Sequence, residues 1–271
     1  MDEREYSLIE HLGVLRKRLM RASIGVFLVS FATFAVSKDI LELLKQPMLQ
    51  ALADVPGADA KFIVIAPAEY FIAQLKAAVV AGIFLAMPWI LYQLWLFIAP
   101  GLYAKEQRYV LGFVWAGALF FCAGGVFAYM LVFPGMFRFF IENTLEAGVA
   151  MNLSVAEHFS FSMKLLLAFG LCFEAPVVVF ILSIAGIVNP KTLGKYRAYV
   201  VVAAFVIGAI LTPPDVLSQA MLAAPLVVLF ELGLVAARIA VWFQQRNAPG
   251  AAVAESTALE KRSEPEDGGS H

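Results

Sequence analysis

Residues 95–108, WLFIAPGLYAKEQR, form the only charged break between two long apolar runs. Aromatic residues at the start of this stretch are followed by a Pro-Gly pair and then by Lys105, Glu106 and Arg108. Trp and Tyr are enriched where a membrane meets water, and Pro-Gly marks a turn. The stretch therefore predicts a membrane span that ends at the membrane surface and turns in water. From spacing alone, Glu106 is either a solvated turn residue neutralised by its neighbours or part of a binding site.

The composition excludes a soluble globular protein. Hydrophobic residues make up 61% of the 271 residues, charged residues make up 15%, and the mean hydropathy is +0.81. These values predict an integral membrane protein. Cys122 and Cys172 lie inside apolar runs without a CxxC pair, so we expect buried packing residues rather than a disulfide or a zinc site. Residues 1–21 contain no small-residue cleavage site, so we expect the first span to be retained.

Six apolar segments predict an all-α integral membrane protein with six transmembrane helices. The even number puts both termini on the same side. Lys and Arg residues concentrate on that side, whereas the opposite side carries only Lys38, Lys45, Lys61 and Arg138. The positive-inside rule therefore predicts that both termini are cytoplasmic. The predicted segments are approximately 19–36, 70–97, 109–133, 159–187, 199–211 and 216–237.

The two ends of the chain lie outside the predicted six-helix domain of residues 19–237. Ser7 and Glu10 fit a capping box, which predicts a short amphipathic helix within residues 1–18 on the cytoplasmic membrane surface. Arg16 belongs to a basic cluster at the end of this helix, where lipid phosphates would meet it. Residues 238–271 show no apolar period, so we expect a disordered cytoplasmic tail.

The fifth and sixth segments are predicted to form short helices. The fifth reaches roughly 20 Å at 1.5 Å per residue, against a hydrocarbon core of about 30 Å. The sixth is interrupted by Ser218 and Gln219 and later by Glu231. We therefore expect the bilayer to thin beside this pair.

The loops after the first and third segments are too long for turns, and we expect them to fold as caps.

Glu174 lies near the middle of the fourth segment, where an acidic side chain costs about 2.5–3.5 kcal/mol. Lys164 is on the same helix but about 15 Å away along the axis, so it is not the direct partner. Pro176 is expected to kink the helix and free a backbone carbonyl. Glu174 is either a protonated structural carboxyl bonded to that carbonyl or a functional group, because intramembrane ionisable residues are often functional.

Three polar residues at the outer end of the sixth segment have two interpretations. Asp215, Ser218 and Gln219 either accept a polar partner helix or cap the sixth helix, with Asp215 as the N-cap. Lys76 and Lys164 are expected to extend toward lipid headgroups.

An enzyme is not expected. The three histidines lie outside the apolar segments, so an intramembrane Ser-His dyad or an HExxH zinc site is not formed. The chain also lacks a phosphate-binding P-loop, and we expect no cofactor and no metal. Two alternatives are a proton-coupled small-solute secondary transporter that uses Glu174, and a structural scaffold. The first predicts a second repeat with a paired broken helix, which the sequence does not show.

Four motifs together resemble the TatC family, the multispanning receptor subunits of the twin-arginine protein translocase. They occur in order between about Ser7 and Arg238, with the six predicted spans. The motifs are HLGVLRKRL at 11–19, FIAPGLYAKE at 97–106, AFGLCFEAP at 168–176 and LTPPDVLSQ at 211–219.

The resemblance implies a protein of the bacterial inner membrane that recognises twin-arginine signal peptides of folded cargo at its cytoplasmic face. It also implies that the protein works with single-span TatA- and TatB-type partners and self-associates in a multimeric receptor complex. The resemblance implies that the proton-motive force drives export of the cargo and that no nucleic acid is a partner. In the family, acidic residues on the N-terminal region and the first cytoplasmic loop read the arginine pair. Glu106 matches the loop position. The other position is Val14 here, and Glu10, one helical turn earlier, either replaces the missing charge or only closes the capping box.

The other residues within the matched motifs are expected to have related roles. Arg16, Phe97 and Tyr103 are predicted to line the signal-peptide site with Glu106 and Glu10. The resemblance also associates Pro47 with transport, places Glu174 as a polar group on a concave face, and assigns Asp215 and Gln219 to partner docking.

Overall fold

The protein is a helical bundle with a small cap at one end, as seen in a computed structural model that describes residues 3–98, 110–184, 186, 188–212 and 215–246. Six helical segments in this part of the chain are long and apolar enough to cross a membrane, which confirms the predicted fold class. The elements are α1 (Glu3–Thr33), α2 (Ser37–Asp54), β1 (Ala60–Ile63), α3 (Glu69–Ile98), α4 (Val110–Phe127), α5 (Phe133–Glu146), β2 (Met151–Ser154), α6 (Val155–Ile184), α7 (Pro190–Leu193), α8 (Arg197–Leu211) and α9 (Val216–Arg246).

The first helix is one continuous rod rather than a surface helix followed by a span. It begins at Glu3, so Ser7 lies inside it, and the predicted capping box at Ser7 is wrong. Residues 3–33 contain no proline, and nothing in the sequence ends the helix before the membrane.

Helix α1 packs antiparallel on α3 through small residues and the two buried hydroxyl groups of Ser30 and Thr33. Gly25 lies against the indole of Trp89, where a Cβ atom would clash. Near the other end of the pair, the Thr33 hydroxyl donates to the Ala78 carbonyl at 2.7 Å. These contacts fix the register of the two helices, and the rest of α1 is largely exposed.

The two long loops fold into the cap, which comprises α2, α5, β1 and β2 at the end opposite the termini. This confirms the prediction that both loops fold. Strands β1 and β2 pair in parallel, with Ala60 opposite Met151 and Ile63 opposite Ser154. A π-helical turn, Ala128–Val132, carries α4 directly into α5. Buried apolar side chains hold the cap on the bundle, including Leu41, Phe133, Phe137, Ile141 and Phe159.

Helices α4 and α6 cross at a pair of glycines. A Cβ atom on Gly124 would lie 2.5 Å from the carbonyl oxygen of Phe169, and one on Gly170 would lie 2.8 Å from the Phe121 ring. The backbones can approach this closely only because both residues lack a side chain.

The fifth span contains a short α-helix, as predicted, but the sixth span is long. Helix α8 has 15 residues, about 22 Å, although α7 and a 3₁₀ turn before it extend the helical segment back to Pro190. Helix α9 has 31 residues, so the prediction of a short sixth helix is wrong. Polar residues did not end it: Ser218 is buried, and Glu231 forms a 2.7 Å ion pair with Arg197 of α8.

The two cysteines differ in their environments. Cys172 is half-buried, whereas Cys122 is exposed on the outside of the bundle, so the prediction that both are buried is wrong for Cys122. Apolar sequence alone does not separate a helix face that contacts protein from one that contacts lipid.

We predict that Gly124→Ala lowers the stability of the protein by about 1–3 kcal/mol, because the added methyl group overpacks the α4–α6 crossing. Thermal unfolding in detergent measures the effect. Gly112→Ala on the same helix is the matched control, since no atom lies within 4 Å of its added Cβ position. Equal melting temperatures for the two variants would contradict the close crossing.

Candidate functional site

The end of the bundle that carries the termini is organised by contacts between α1 and α3. Arg18 Nη1 donates to Oε1 of Gln93 at 3.4 Å, and Trp89 Nε1 donates to the Arg21 carbonyl at 3.0 Å. Gln93 is buried, so its amide needs this partner. The bonds hold α1 against the last turns of α3.

The register of these helices makes α1 project beyond α3. Gln93 is five residues from the end of α3 at Ile98, whereas Glu10 is eight residues before Arg18 on α1. At 1.5 Å per residue, Glu10 therefore lies about one turn beyond the end of α3.

The predicted signal-peptide residues are only partly described by the structure. Arg16 is exposed on α1, and Phe97 is half-buried in the last turn of α3. The backbone of Glu10 is helical, but its side chain lies outside the described part of the structure. Glu106 and Tyr103 fall between Ile98 and Val110, also outside the described residues.

Glu174 is buried between α6, α4 and α3. It is 9% exposed, and its Oε1 atom has no hydrogen-bond partner. A Cβ atom on Gly117 of α4 would lie 3.1 Å from Oε2 of Glu174 and 2.7 Å from Cδ1 of Leu91. The glycine therefore makes the space that the carboxyl group occupies.

No cation compensates the Glu174 carboxyl group within the described residues. The ion pairs there join Lys45 to Glu42, Arg138 to Glu142 and Arg197 to Glu231. The predicted bond to a carbonyl freed by Pro176 is also not formed by Oε1, and α6 runs without interruption through this proline. A buried carboxyl group with an unmade hydrogen bond is costly for folding.

We predict that Glu174→Leu leaves the free energy of unfolding unchanged or raises it by about 1 kcal/mol, because the substitution removes an unmade buried hydrogen bond. Thermal unfolding in detergent tests this. Gly117→Ala on the facing helix should instead destabilise, since the ends of the Leu91 and Glu174 side chains must shift to admit its methyl group. A strongly destabilised Glu174→Leu variant would show that the carboxyl group has a structural role.

Pro47 leaves a backbone acceptor open inside α2. The helix continues through Pro47, which has no N–H to donate to the Leu43 carbonyl one turn earlier. The Tyr129 hydroxyl, from the π-helical turn, donates to this carbonyl at 3.0 Å. His158 Nε2 lies 3.4 Å from the neighbouring Leu44 carbonyl. Pro47 thus leaves a carbonyl group free to accept the hydrogen bond that connects α2 to the π-helical turn between α4 and α5.

We predict that Tyr129→Phe destabilises the protein by about 1 kcal/mol, since the Leu43 carbonyl loses its donor. In a Pro47→Ala background the alanine N–H replaces that donor, and Tyr129→Phe should cost much less. A double-mutant cycle of unfolding free energies measures the difference. Additive effects would show that Tyr129 and Pro47 act independently.

The predicted docking residues lie where α8 turns into α9. The Ser218 N–H donates to Oδ1 of Asp215 at 2.7 Å, so Asp215 is the N-cap of α9. Burial acts to raise the pKa of Asp215, but hydrogen bonds that include the Ser218 and Leu217 N–H groups outweigh it and lower that pKa. The cap is therefore present above the ordinary pKa of Asp and is lost as the pH falls through the lowered value.

Gln219 is half-buried at the contact between α9 and α8. A Cβ atom on Gly208 of α8 would lie 3.3 Å from the Gln219 carbonyl oxygen and 3.6 Å from its Cβ atom. The two helices thus pack closely near this end. The structure favours the capping role for Asp215 and places Gln219 partly against a neighbouring helix of the same chain.

Sequence reasoning missed several residues that position these sites. Gln93 could have been found, because a glutamine inside an apolar run is itself a signal. Tyr129, Trp89 and Gly117 carry no such signal, since aromatic residues and glycines are common throughout membrane helices.

Comparisons with known proteins give one consistent result. The family model described as "Sec-independent protein translocase protein (TatC)" matches residues 10–225. The relative from Azotobacter chroococcum mcd 1 is 42% identical over 86% of this chain and 89% of its own length, and the one from Escherichia coli K12 is 40% identical over 86% and 89%. A structure titled "Crystal Structure of Twin Arginine Translocase Receptor- TatC" aligns with a TM-score of 0.76 and 35% identity, covering 85% of this chain and 99% of that one.

The architecture and the matches define a multi-pass helical membrane protein of a protein-translocation system. The chain belongs to the TatC family of Sec-independent protein translocase proteins. The family match confirms the resemblance inferred from the four motifs, and it favours the translocase over the small-solute transporter.

Proposed function

We propose that this protein is the receptor subunit that binds twin-arginine signal peptides of folded cargo. With TatA- and TatB-type subunits, it exports that cargo across the bacterial inner membrane, using the proton-motive force. The observation that carries the proposal, beyond family membership, is the projection of α1 past the end of α3. It brings Glu10 to the end of the bundle where the segment containing Glu106 is attached.

The termini are assigned to the cytoplasm. Arg16, Arg18, Lys191 and Arg238 all belong to the end of the bundle that carries the termini, whereas the cap carries few basic residues. This asymmetry is the one that the positive-inside rule associates with cytoplasmic segments. A signal peptide arriving from the cytoplasm would therefore meet the projecting end of α1.

Carboxylates are well suited to bind an arginine pair. A guanidinium group donates paired, charge-assisted hydrogen bonds to a carboxylate, a geometry that lysine does not reproduce. Glu106 is assigned as one reader. Glu10 is assigned as the second, because position 14, where the family has a glutamate, is a valine in this chain.

The continuous α1 helix supports the assignment of Glu10. Because the helix begins at Glu3, Ser7 is not its N-cap, and Glu10 is not needed to close a capping box there. Glu10 and Val14 are one turn apart on the same face of that helix, and Val14 is exposed. Glu10 can therefore present its charge beside the position that Val14 occupies.

We predict that Glu10→Gln and Glu106→Gln each weaken binding of a twin-arginine signal peptide about tenfold, the effect of losing one charge-assisted hydrogen bond. Site-specific crosslinking or titration of a labelled peptide against the purified receptor complex measures this. Glu157→Gln at the cap end is the control, and a twin-lysine peptide should respond weakly to all variants. If Glu10→Gln leaves peptide binding unchanged, Glu106 binds the arginine pair without Glu10. If a Glu106→Lys variant leaves peptide binding unchanged, the proposed binding site is wrong.

Glu174, Pro47, Asp215 and Gln219 are assigned to steps after recognition. The unpaired carboxyl group of Glu174 is proposed to interact with an inserted signal peptide or partner helix. The short α8 and its contact with α9 are proposed as the docking surface for single-span subunits. The whole helical segment of the fifth span, Pro190–Leu211, is long and apolar enough to cross a membrane, so its length gives no support to the expected thinning of the bilayer.

A further inference from the structure

A polar pocket lies at the end of the bundle that carries the termini, between α6, α9 and the segment that leads into α7. Its volume is about 420 Å³, within the range of ligand sites in proteins. No residue proposed for signal-peptide or partner binding lines it. The polar and aromatic side chains that carry the argument are Ser183, Lys191, Arg238 and Trp242.

Ser183 indicates that the pocket receives a hydrogen-bonding ligand. The residue is 4% exposed and lines the pocket, yet its Oγ atom has no hydrogen-bond partner. Buried hydroxyl groups normally have a partner. An acceptor placed in the pocket would supply it.

The charges of the pocket favour an anion. Lys191 and Arg238 both line it, and no acidic residue does. Glu231, two turns before Arg238 on α9, is already paired with Arg197. Within the described part of the chain, neither Lys191 nor Arg238 has a carboxylate within ion-pair distance.

The guanidinium group of Arg238 lies against a glycine. A Cβ atom on Gly194 would lie 2.8 Å from Nη2 of Arg238, so the guanidinium group passes directly beneath the turn between α7 and α8. A larger residue at position 194 would move the guanidinium group without changing its charge.

The residues around the pocket favour a lipid headgroup as the source of the anion. Trp242 is half-exposed at the pocket near the end of α9, and tryptophan is typical of the headgroup layer. Val188 and Val241 provide an apolar wall beside the charged groups. Basic pockets between transmembrane helices bind the headgroups of anionic lipids.

We propose that this pocket binds the phosphate group of an anionic phospholipid. Arg238 and Lys191 hold the phosphate oxygens, and the Ser183 hydroxyl donates to one of them. A guanidinium group suits this role because its donors match two phosphate oxygens at once. The site is independent of the proposed recognition of signal peptides, and only its assignment to the cytoplasmic leaflet depends on the proposed orientation.

Native mass spectrometry of the full-length protein in detergent tests the site, with phosphatidylglycerol as the probe and phosphatidylcholine as the neutral control lipid. Arg238→Gln should weaken phosphatidylglycerol binding about tenfold, and Ser183→Ala and Gly194→Ala should each weaken it several-fold. Lys195→Gln, the same charge change on a nearby lysine outside the pocket, should have no effect. If Arg238→Gln does not fold, the exposed Lys191→Gln replaces it.

Three outcomes would overturn the proposal. The first is equal loss of binding in Lys195→Gln, which would reveal only general surface charge. The second is equal binding of phosphatidylcholine. The third is displacement of the lipid by millimolar inorganic phosphate, which would identify a site for free phosphate instead of a lipid headgroup.

Discussion

The hydrocarbon environment offers no hydrogen-bond partners, and the structure depends on how the protein satisfies its own polar groups there. Thr33 donates to the Ala78 carbonyl, Ser162 to the His158 carbonyl and Thr212 to the Gly208 carbonyl. In the cap, where Pro47 removes a backbone donor, Tyr129 of the π-helical turn supplies one. Among the described residues, four buried side chains have an oxygen atom without a partner, and these are Ser30, Glu174, Ser183 and Ser218. Glu174 and Ser183 lie where a ligand or a partner is proposed to bind, whereas Ser30 lies inside the contact between α1 and α3.

The number and kind of the spans could be predicted from the sequence, because apolar length decides whether a helix can cross a membrane. The same reasoning failed for the sixth helix. Glu231 and Ser218 interrupt the apolar run of the sixth segment, but a charged residue that pairs with Arg197 does not end a helix. The predicted start of α1 is wrong for a related reason. A capping box is only a preference, and a helix can begin before it.

The sites were predictable only in part. Glu174 could be singled out because a carboxylate is rare in an apolar run, and the structure buries this residue against α4. The glycine that accommodates it could not, because the close approach of two helices depends on long-range packing. The partnership of Pro47 with Tyr129 joins residues far apart in the chain, and no local pattern indicates it. The family resemblance pointed to residues in four motifs, and the structure shows what several of them contact.

The parallel strand pair has a mechanical consequence. Strand β2 runs directly into α6, and β1 is separated from α3 by only a short connection, so the two helices are joined at their first residues. Each has 30 residues, about 45 Å. The ladder holds the first turns of α3 and α6 side by side, and farther along both helices pack against α4. A displacement of the cap would therefore reach all three helices together.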